Sequence, residues 1–591
     1  MNSSSIFSAI KKLKCLLTRQ EKIKWLGIVG FALVTSCFEM LTASIIVIFA
    51  QILNQPEIGP KYLSKMGYGS YLSPGRIVFY SAIIVGIVYV IKNVIAALEV
   101  FYQNFSIQNM SYNFKNKLLQ RYAMADYGFY LTRNSSIGGT VVGGEVNLMF
   151  SSGMIPLATI ISESMVFISL LTMIIVMKPS LAIVVLVFGM ACSIAVSKLL
   201  FPLFYRWGQK LQEASMLGSQ NLLQFFHAFK EIILLGKREN FINNYQFHAL
   251  KTSKVHAVQT ATNQLPRIII EVVFVGLFVF AIAYLCYKHD TPQKIIGILG
   301  GYLYAGFRLM PGLNRIIGQL NTFKATIASI DRVYNEYTTV AAKENYLNIP
   351  DFKFTNNIIF KNVCFKYLNT ERDAIQNINL EIKKGESIGI IGETGSGKST
   401  LVDLLLGLLR PCFGEILIDG LYPANCYQWH QKIGYVPQAV YLIDDTIEAN
   451  IAFGEKVGNI NLDRLNQVIN ISQLRKFIEQ LPLGTKTIVG ERGIRLSGGE
   501  RQRIAIARAL YRDPEVLIFD EATSALDNET EARLMETVSM VSKERTVIMV
   551  AHRVSTLKDC NRIVMMDMRN IKEIINYESL VTLPFTQDIN A

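Results

Sequence analysis

Up to about residue 325 the chain runs in long apolar blocks broken by polar, basic stretches. Six blocks, roughly 25–52, 77–104, 154–177, 181–204, 263–287 and 295–320, are long enough to cross a hydrocarbon layer of about 30 Å, which takes about 20 residues. The segments 105–153 and 205–262 between them are polar and helix-favouring, and carry Lys115, Lys117, Arg121, Arg133, Arg206, Lys210, Lys230, Lys237 and Arg238. By contrast, Lys178-Pro-Ser180 and Lys288–Gln293 are short connections. Basic residues gather at the N-terminus and in the two long segments, which predicts that both chain ends and these loops face the cytoplasm. The loop from Leu53 to Gly75 is external on this count. Tyr62, Leu63 and Met66 share a helical face there, so it reads either as a short interfacial helix or as a solvated loop.

From about Phe352 the pattern changes to short apolar runs. Ser387–Ile391, Ile433–Pro437, Val516–Phe519 and Val547–Ala551 read as buried strands, Thr400–Leu408 as a helix, and Leu496–Glu500 as the opening of another. The fold class expected is an all-α six-helix transmembrane domain followed by an α/β phosphate-loop domain. The boundaries are 1–325 for the membrane domain, 326–350 for a polar connector, and 351–591 for the α/β domain.

Composition agrees with this division. Half of the 591 residues are hydrophobic and only 18% are charged. The net charge of +13 is explained by basic cytoplasmic loops, and no nucleic-acid partner is expected. Eight scattered cysteines without a C-x-x-C pair indicate neither a disulfide framework nor a zinc site. Lys11, Lys12, Lys14, Arg19, Lys22 and Lys24 precede an apolar stretch too long for a signal peptide, so an uncleaved first span is expected.

The candidate chemistry centres on Gly392, Glu393, Thr394, Gly395, Ser396, Gly397, Lys398, Ser399 and Thr400. These match G-x-x-x-x-G-K-[ST] between a strand and a helix. Glycines let backbone N–H groups close around phosphate oxygens, and the helix N-terminus adds its positive dipole end. Lys398 can reach β- and γ-phosphates, and Ser399 can hold Mg²⁺. Tyr367 reads as an exposed aromatic suited to stacking on adenine. Gln438 follows a strand and is a further candidate for the metal. Ser497, Gly498, Gly499 and Glu500 open a helix and can face a phosphate. Asp520 ends a strand where it can hold Mg²⁺ through water, and Glu521 can act as general base on the attacking water. Ser524-Ala-Leu-Asp527 follows, and His552 closes a strand where it can contact a γ-phosphate. In the membrane half, Lys92, Arg267, Arg308 and Arg315 fall inside predicted spans, where charge is costly and points to function. Counting about 1.5 Å per residue places all four in the inner half of the membrane. Arg267 and Glu271, at i and i+4, offer each other a partner. Arg308 and Arg315 share one face of the sixth span, with no carboxylate on it before Asp331, so they are expected to be unpaired and to attract a phosphate or pyrophosphate.

Together these motifs resemble the ATP-binding cassette family, and six spans before one cassette look like a type IV half-transporter. The resemblance assigns adenine stacking to Tyr367, the Q-loop to Gln438, the signature to Ser497–Glu500, the D-loop to Asp527 and the switch to His552. Val489–Gly493 resembles the exporter-specific X-loop, while Asp567–Ile571 lacks the usual glycine, a difference expected to affect only a surface turn. Leu265–Glu271 and Phe307–Arg315 look like PglK-type flippases of lipid-linked oligosaccharides. ATP and Mg²⁺ are the implied cofactors, and a homodimer in the cytoplasmic membrane the implied assembly, because the signature serves the opposite cassette. The expected substrate is a polyprenyl-pyrophosphate-linked glycan. Another amphipathic cargo, lipid or peptide, is the alternative, with an ATP-gated channel or non-pumping regulator as a third.

Overall fold

The computed structural model describes residues 6–54, 73–133, 135–177, 206–207, 210–211, 213–287, 292–340, 349–368, 370–456, 458–522, 531–532, 545–551 and 553–582. The chain falls into two compact units, one of Met1–Ala123 with Ser135–Ala341, the other of Met124–Asn134 with Ala342–Ala591.

The described part of the first unit is helical. α1 (Ile6–Leu16) gives way to α2 (Arg19–Asn54) at a local start signal. The Glu21 carboxylate accepts from the Thr18 N–H at 2.7 Å, and the Thr18 hydroxyl accepts from the Glu21 N–H, closing a capping box. α3 (Pro74–Ala123) opens on a proline, whose missing N–H costs nothing in a first turn. α4 (Tyr127–Leu131) belongs to the second unit and is capped by Asp126. α5 (Ile155–Met177), α6 (Phe229–Leu234), α7 (Arg238–Tyr287) and α8 (Pro292–Thr339) follow, with α5 continuing a run of short helical turns from Ser135 to Met154. α2 packs on α3, α5 and α8, and α8 on α5.

Among the described residues, Arg19–Leu53, Gly75–Ala123 and Ile137–Met173 are apolar and long enough to cross a membrane; they contain the first two expected spans and all but the last four residues of the third. The blocks 263–287 and 295–320 lie inside α7 and α8. The fourth block, 181–204, and most of the loop after Leu53 lie outside the described residues.

The second unit has two sheets. β1 (Asn357–Phe365), β2 (Ile375–Lys383), β4 (Phe413–Ile418) and β5 (Tyr422–Pro423) form an antiparallel sheet in the order β2-β1-β4-β5. β3 (Ser387–Gly392), β6 (Ile433–Val436), β7 (Val516–Asp520), β8 (Thr546–Val550), β9 (Arg562–Asp567) and β10 (Asn570–Ile575) form the other, ordered β10-β9-β3-β8-β7-β6. All of its pairings are parallel except that of β9 with β10. The apolar runs of β7 and β8 are buried throughout, as a parallel sheet covered on both faces requires. Successive residues point to opposite cores: Leu517 and Phe519 pack with Ile504 and Leu510 of α10 (Gly498–Tyr511), and Ile518 with Leu401 and Leu404 of α9 (Lys398–Leu405). The β9–β10 hairpin closes without glycine because Met568 and Arg569 both take left-handed conformations, φ +44° and +72°.

This topology sets Gly392, Asp520 and the chain after Val436 at the carboxyl ends of parallel strands of one sheet, where α/β sheets place their ligands.

Candidate functional site

The glycine loop turns between β3 and α9. Gly395 and Gly397 have φ of +85° and +103°, a region open to glycine. At Gly392 a Cβ would lie 2.3 Å from the Met566 carbonyl oxygen, so no side chain fits there. Lys398 is buried, and its Nζ donates to the carbonyls of Gly392 at 2.7 Å and Glu393 at 3.0 Å. Burial lowers the Lys398 ammonium below its usual value, while the charges of Glu521 and Asp520 act the other way. Ser399 is exposed, whereas Ser396 is buried and its Oγ has no hydrogen-bond partner among the described residues. Two left-handed glycines, a cradle closed to Cβ atoms and an orphaned buried hydroxyl fit a bound polyphosphate.

Tyr367 is half-buried rather than freely exposed. Its hydroxyl lies 3.0 Å from Thr400 Oγ1, and its ring meets Phe365 edge-on at 5.0 Å. The loop's helix thus holds the aromatic in place.

At the end of β7, Asp520 Oδ2 accepts from the Tyr435 hydroxyl at 3.2 Å. Burial raises the Asp520 carboxyl and the charge of Glu521 adds to this, against the Tyr435 bond and Lys398. Glu521 follows with φ +49°, its N–H bonded to the Val550 carbonyl at 3.0 Å, a strained turn that lifts its side chain off the strand. The Gln438 amide nitrogen donates to Glu521 Oε2. Ser497 caps α10: its Oγ accepts from the Glu500 N–H at 3.3 Å, and Glu500 Oε2 accepts from the Ser497 N–H at 2.7 Å. Glu500 therefore closes a capping box at the helix end formed by Gly498 and Gly499. Asp527 and His552 lie outside the described residues.

Two residues of this site escaped the sequence reading. Burial and then the charge of Asp520 push the Asp403 carboxyl up to about 6. Tyr435 is raised by burial and then by Asp520. The signal for Asp403 was a lone carboxylate within the apolar helix Leu401–Leu406. Tyr127 of α4, raised by burial, also feels the charges of Asp403 and Tyr367.

The membrane unit holds a second cluster, and it corrects an expectation. Arg308 and Arg315 are not unpaired. Glu39 of α2 accepts from Arg308 Nε through Oε1, and Lys92 Nζ lies 3.2 Å from Oε1 and 3.0 Å from Oε2. Glu163 of α5 lies 3.0 Å from Arg315 Nε, and its other oxygen 3.7 Å from Arg308 Nη1. A Cβ at position 312 would approach Glu163 Oε2 to 3.1 Å, so Gly312 makes room for the carboxylate. The partners come from other helices, Glu39 from 269 residues away, and a search along the sixth span alone misses them. Arg267 lies on α7, and its side chain is outside the described residues.

Residues 375–524 match the family model of ABC transporters. Over 263 residues the chain is 42% identical to an alpha-hemolysin translocation ATP-binding protein of Escherichia coli O157:H7, covering 44% of this chain and 37% of that one. Over 348 residues it is 33% identical to an ATP-dependent lipid A-core flippase of Alkalilimnicola ehrlichii, covering 58% of each. In both cases it spans less than two thirds of the relative's length. A bacterial Atm1-family ABC exporter solved with ATP bound superimposes with a TM-score of 0.74 at 22% identity, over 93% of this chain and 98% of that one. The chain thus carries an ABC transporter ATP-binding domain behind a helical membrane region, in the fold of an Atm1-family ABC exporter.

Proposed function

We propose that this protein is an ATP-driven flippase for a polyprenyl-pyrophosphate-linked oligosaccharide, working as a homodimer in the cytoplasmic membrane with its N-terminus and ATP-binding domain in the cytoplasm. The observation that carries the substrate class is the cluster of Lys92, Arg308 and Arg315, which gathers three cations from two helices around Glu39 and Glu163. Cations gathered inside a membrane are costly and point to an anionic ligand, and guanidinium groups match diphosphate oxygens bidentately. Arg267 is proposed as a further contact for the substrate.

When bound, ATP supplies the phosphoanhydride whose cleavage powers the cycle. Lys398 and the backbone of residues 392–400 would hold its phosphates, with Tyr367 against the adenine. Ser399, Gln438 and Asp520 are the residues that would hold Mg²⁺, and their oxygen donors suit that ion. Glu521 would orient and deprotonate the attacking water, with His552 beside the γ-phosphate. Ser497–Glu500 and Asp527 would serve the site shared with the second subunit. α4, in the same compact unit as the cassette and within electrostatic reach of Asp403, would transmit its closure to the spans.

Export of a different amphipathic cargo is the second reading, favoured by the identity to a hemolysin translocator and to a lipid A-core flippase. ATPase stimulation in proteoliposomes, measured across lipid-linked glycans, lipid A and amphipathic peptides, separates the two. Stimulation by peptide and not by any pyrophosphate lipid would overturn the flippase assignment.

A further inference from the structure

The two carboxylates of the membrane cluster are held differently. Glu39 is 1% exposed, and both its oxygens are engaged by Lys92 or Arg308. Glu163 meets Arg315 through one oxygen, and among the described residues its buried Oε2 has no hydrogen-bond partner. Arg308 Nη1, at 3.7 Å, lies too far from that oxygen for a hydrogen bond. The cluster is also graded in access: the Lys92 side chain is 8% exposed, that of Arg308 21% and that of Arg315 51%. An incoming anion therefore meets Arg315 first, then the loosely held Glu163.

We infer that Glu163 is a resident counter-anion that a lipid diphosphate displaces from Arg315 and Arg308, while Glu39 stays with Lys92 and Arg308 as a fixed anchor. This rests on the anionic-substrate reading above and names the residue that sets its affinity. The physical reason is charge balance in a medium of low dielectric. Arg308 and Arg315 need a counter-charge when no substrate is bound, and the under-satisfied carboxylate supplies it at least cost to the exchange. The displaced carboxylate remains beside the headgroup and repels it, so binding stays weak enough for release on the far side. Gly312 fits this role, because any side chain there would press on Glu163 Oε2. Glu163 is on this account a specificity-determining residue.

The test is a binding titration of a sugar-free polyprenyl pyrophosphate into the full-length protein in nanodiscs, with the matching polyprenol as the neutral control. For Glu163→Gln the expected result is about a tenfold fall in the apparent Kd for the pyrophosphate, the scale of one interaction with a charged group, and no change for the polyprenol. Glu163→Asp, which draws the carboxylate back, should shift the Kd the same way by a smaller factor, and serves if the glutamine variant does not fold. Arg315→Ala should lose most of the pyrophosphate affinity. An unchanged Kd in both Glu163 variants, with affinity lost in Arg315→Ala, overturns the exchange and leaves the anionic-substrate reading standing. Wild-type affinity in Arg315→Ala, or no binding of the pyrophosphate by the wild type, overturns that reading and this inference with it. Tighter binding of the polyprenol as well would make the effect one of apolar packing and also overturn the exchange.

Discussion

The amide nitrogen of Gln438 is bonded to the carboxylate of Glu521, 83 residues further along the chain. The bond ties the loop after β6 to the turn after β7, and so fixes the direction in which the carboxylate points. A group meant to take a proton from water needs such orientation before its basicity matters.

Glu521→Gln should therefore retain nucleotide binding and lose catalysis. A general base contributes about 10²–10⁴-fold to rate, and a loss of that size in steady-state ATPase is expected while labelled ATP still binds. Turnover within a few-fold of wild type would remove Glu521 from the role.

Lys398→Ala acts one step earlier. The side chain bridges two loop carbonyls and stands near Asp520 and Glu521, so its removal affects the cradle and its charge together. Nucleotide affinity should fall by about tenfold or more, as expected for losing a charge-assisted contact, in a direct binding measurement. Unchanged affinity would contradict the placement of phosphates against this lysine.

Asp403 links folding to pH. Its carboxyl is raised from 3.8 to about 6 in the folded chain, so between those values the folded state binds the extra proton. Stability from this group is present at low pH and declines as pH rises from about 4 through about 6, where the buried acid ionises. Asp403→Asn removes the decline. The variant should melt higher than wild type above pH 7, by up to a few kcal/mol, with the difference closing towards pH 4. A constant offset across that range would show that the buried acid is not the cause.

Glu39 neutralises two cations at once, and its loss leaves both with less counter-charge in a buried setting. Glu39→Gln should destabilise the membrane unit by about 3–5 kcal/mol, read as a lower melting temperature in detergent. Lys92→Met in the same chain should restore part of the loss, since it removes one of the stranded charges. A double variant as unstable as Glu39→Gln alone would mean that the pair is not coupled.

The long apolar helices and the α/β half were legible because their causes are local. A span is a length of apolar sequence. A parallel strand covered on both faces is a run such as Val516–Phe519. The phosphate loop needs left-handed backbone at Gly395 and Gly397, which is why glycine appears there. The hairpin at Met568 and Arg569 adopts the same backbone region without glycine, so a missing glycine was a poor guide to that turn.

What the chain order could not reveal was which charges meet. Arg308 and Arg315 look partnerless along their own helix because a helix neighbour lies only three or four residues away. Their carboxylates stand on α2 and α5, and only the packing of α8 against both brings them within reach. The Gln438–Glu521 bond and the raised acid of Asp403 depend likewise on strand order and burial, which no short stretch of sequence contains. Sequence by itself determined the long apolar helices, the buried strands and the glycine loop before α9, since backbone freedom and apolar periodicity are properties of neighbouring residues. Tertiary structure alone decided which charges of the membrane unit pair, since that depends on the distance in space between helices far apart in the chain.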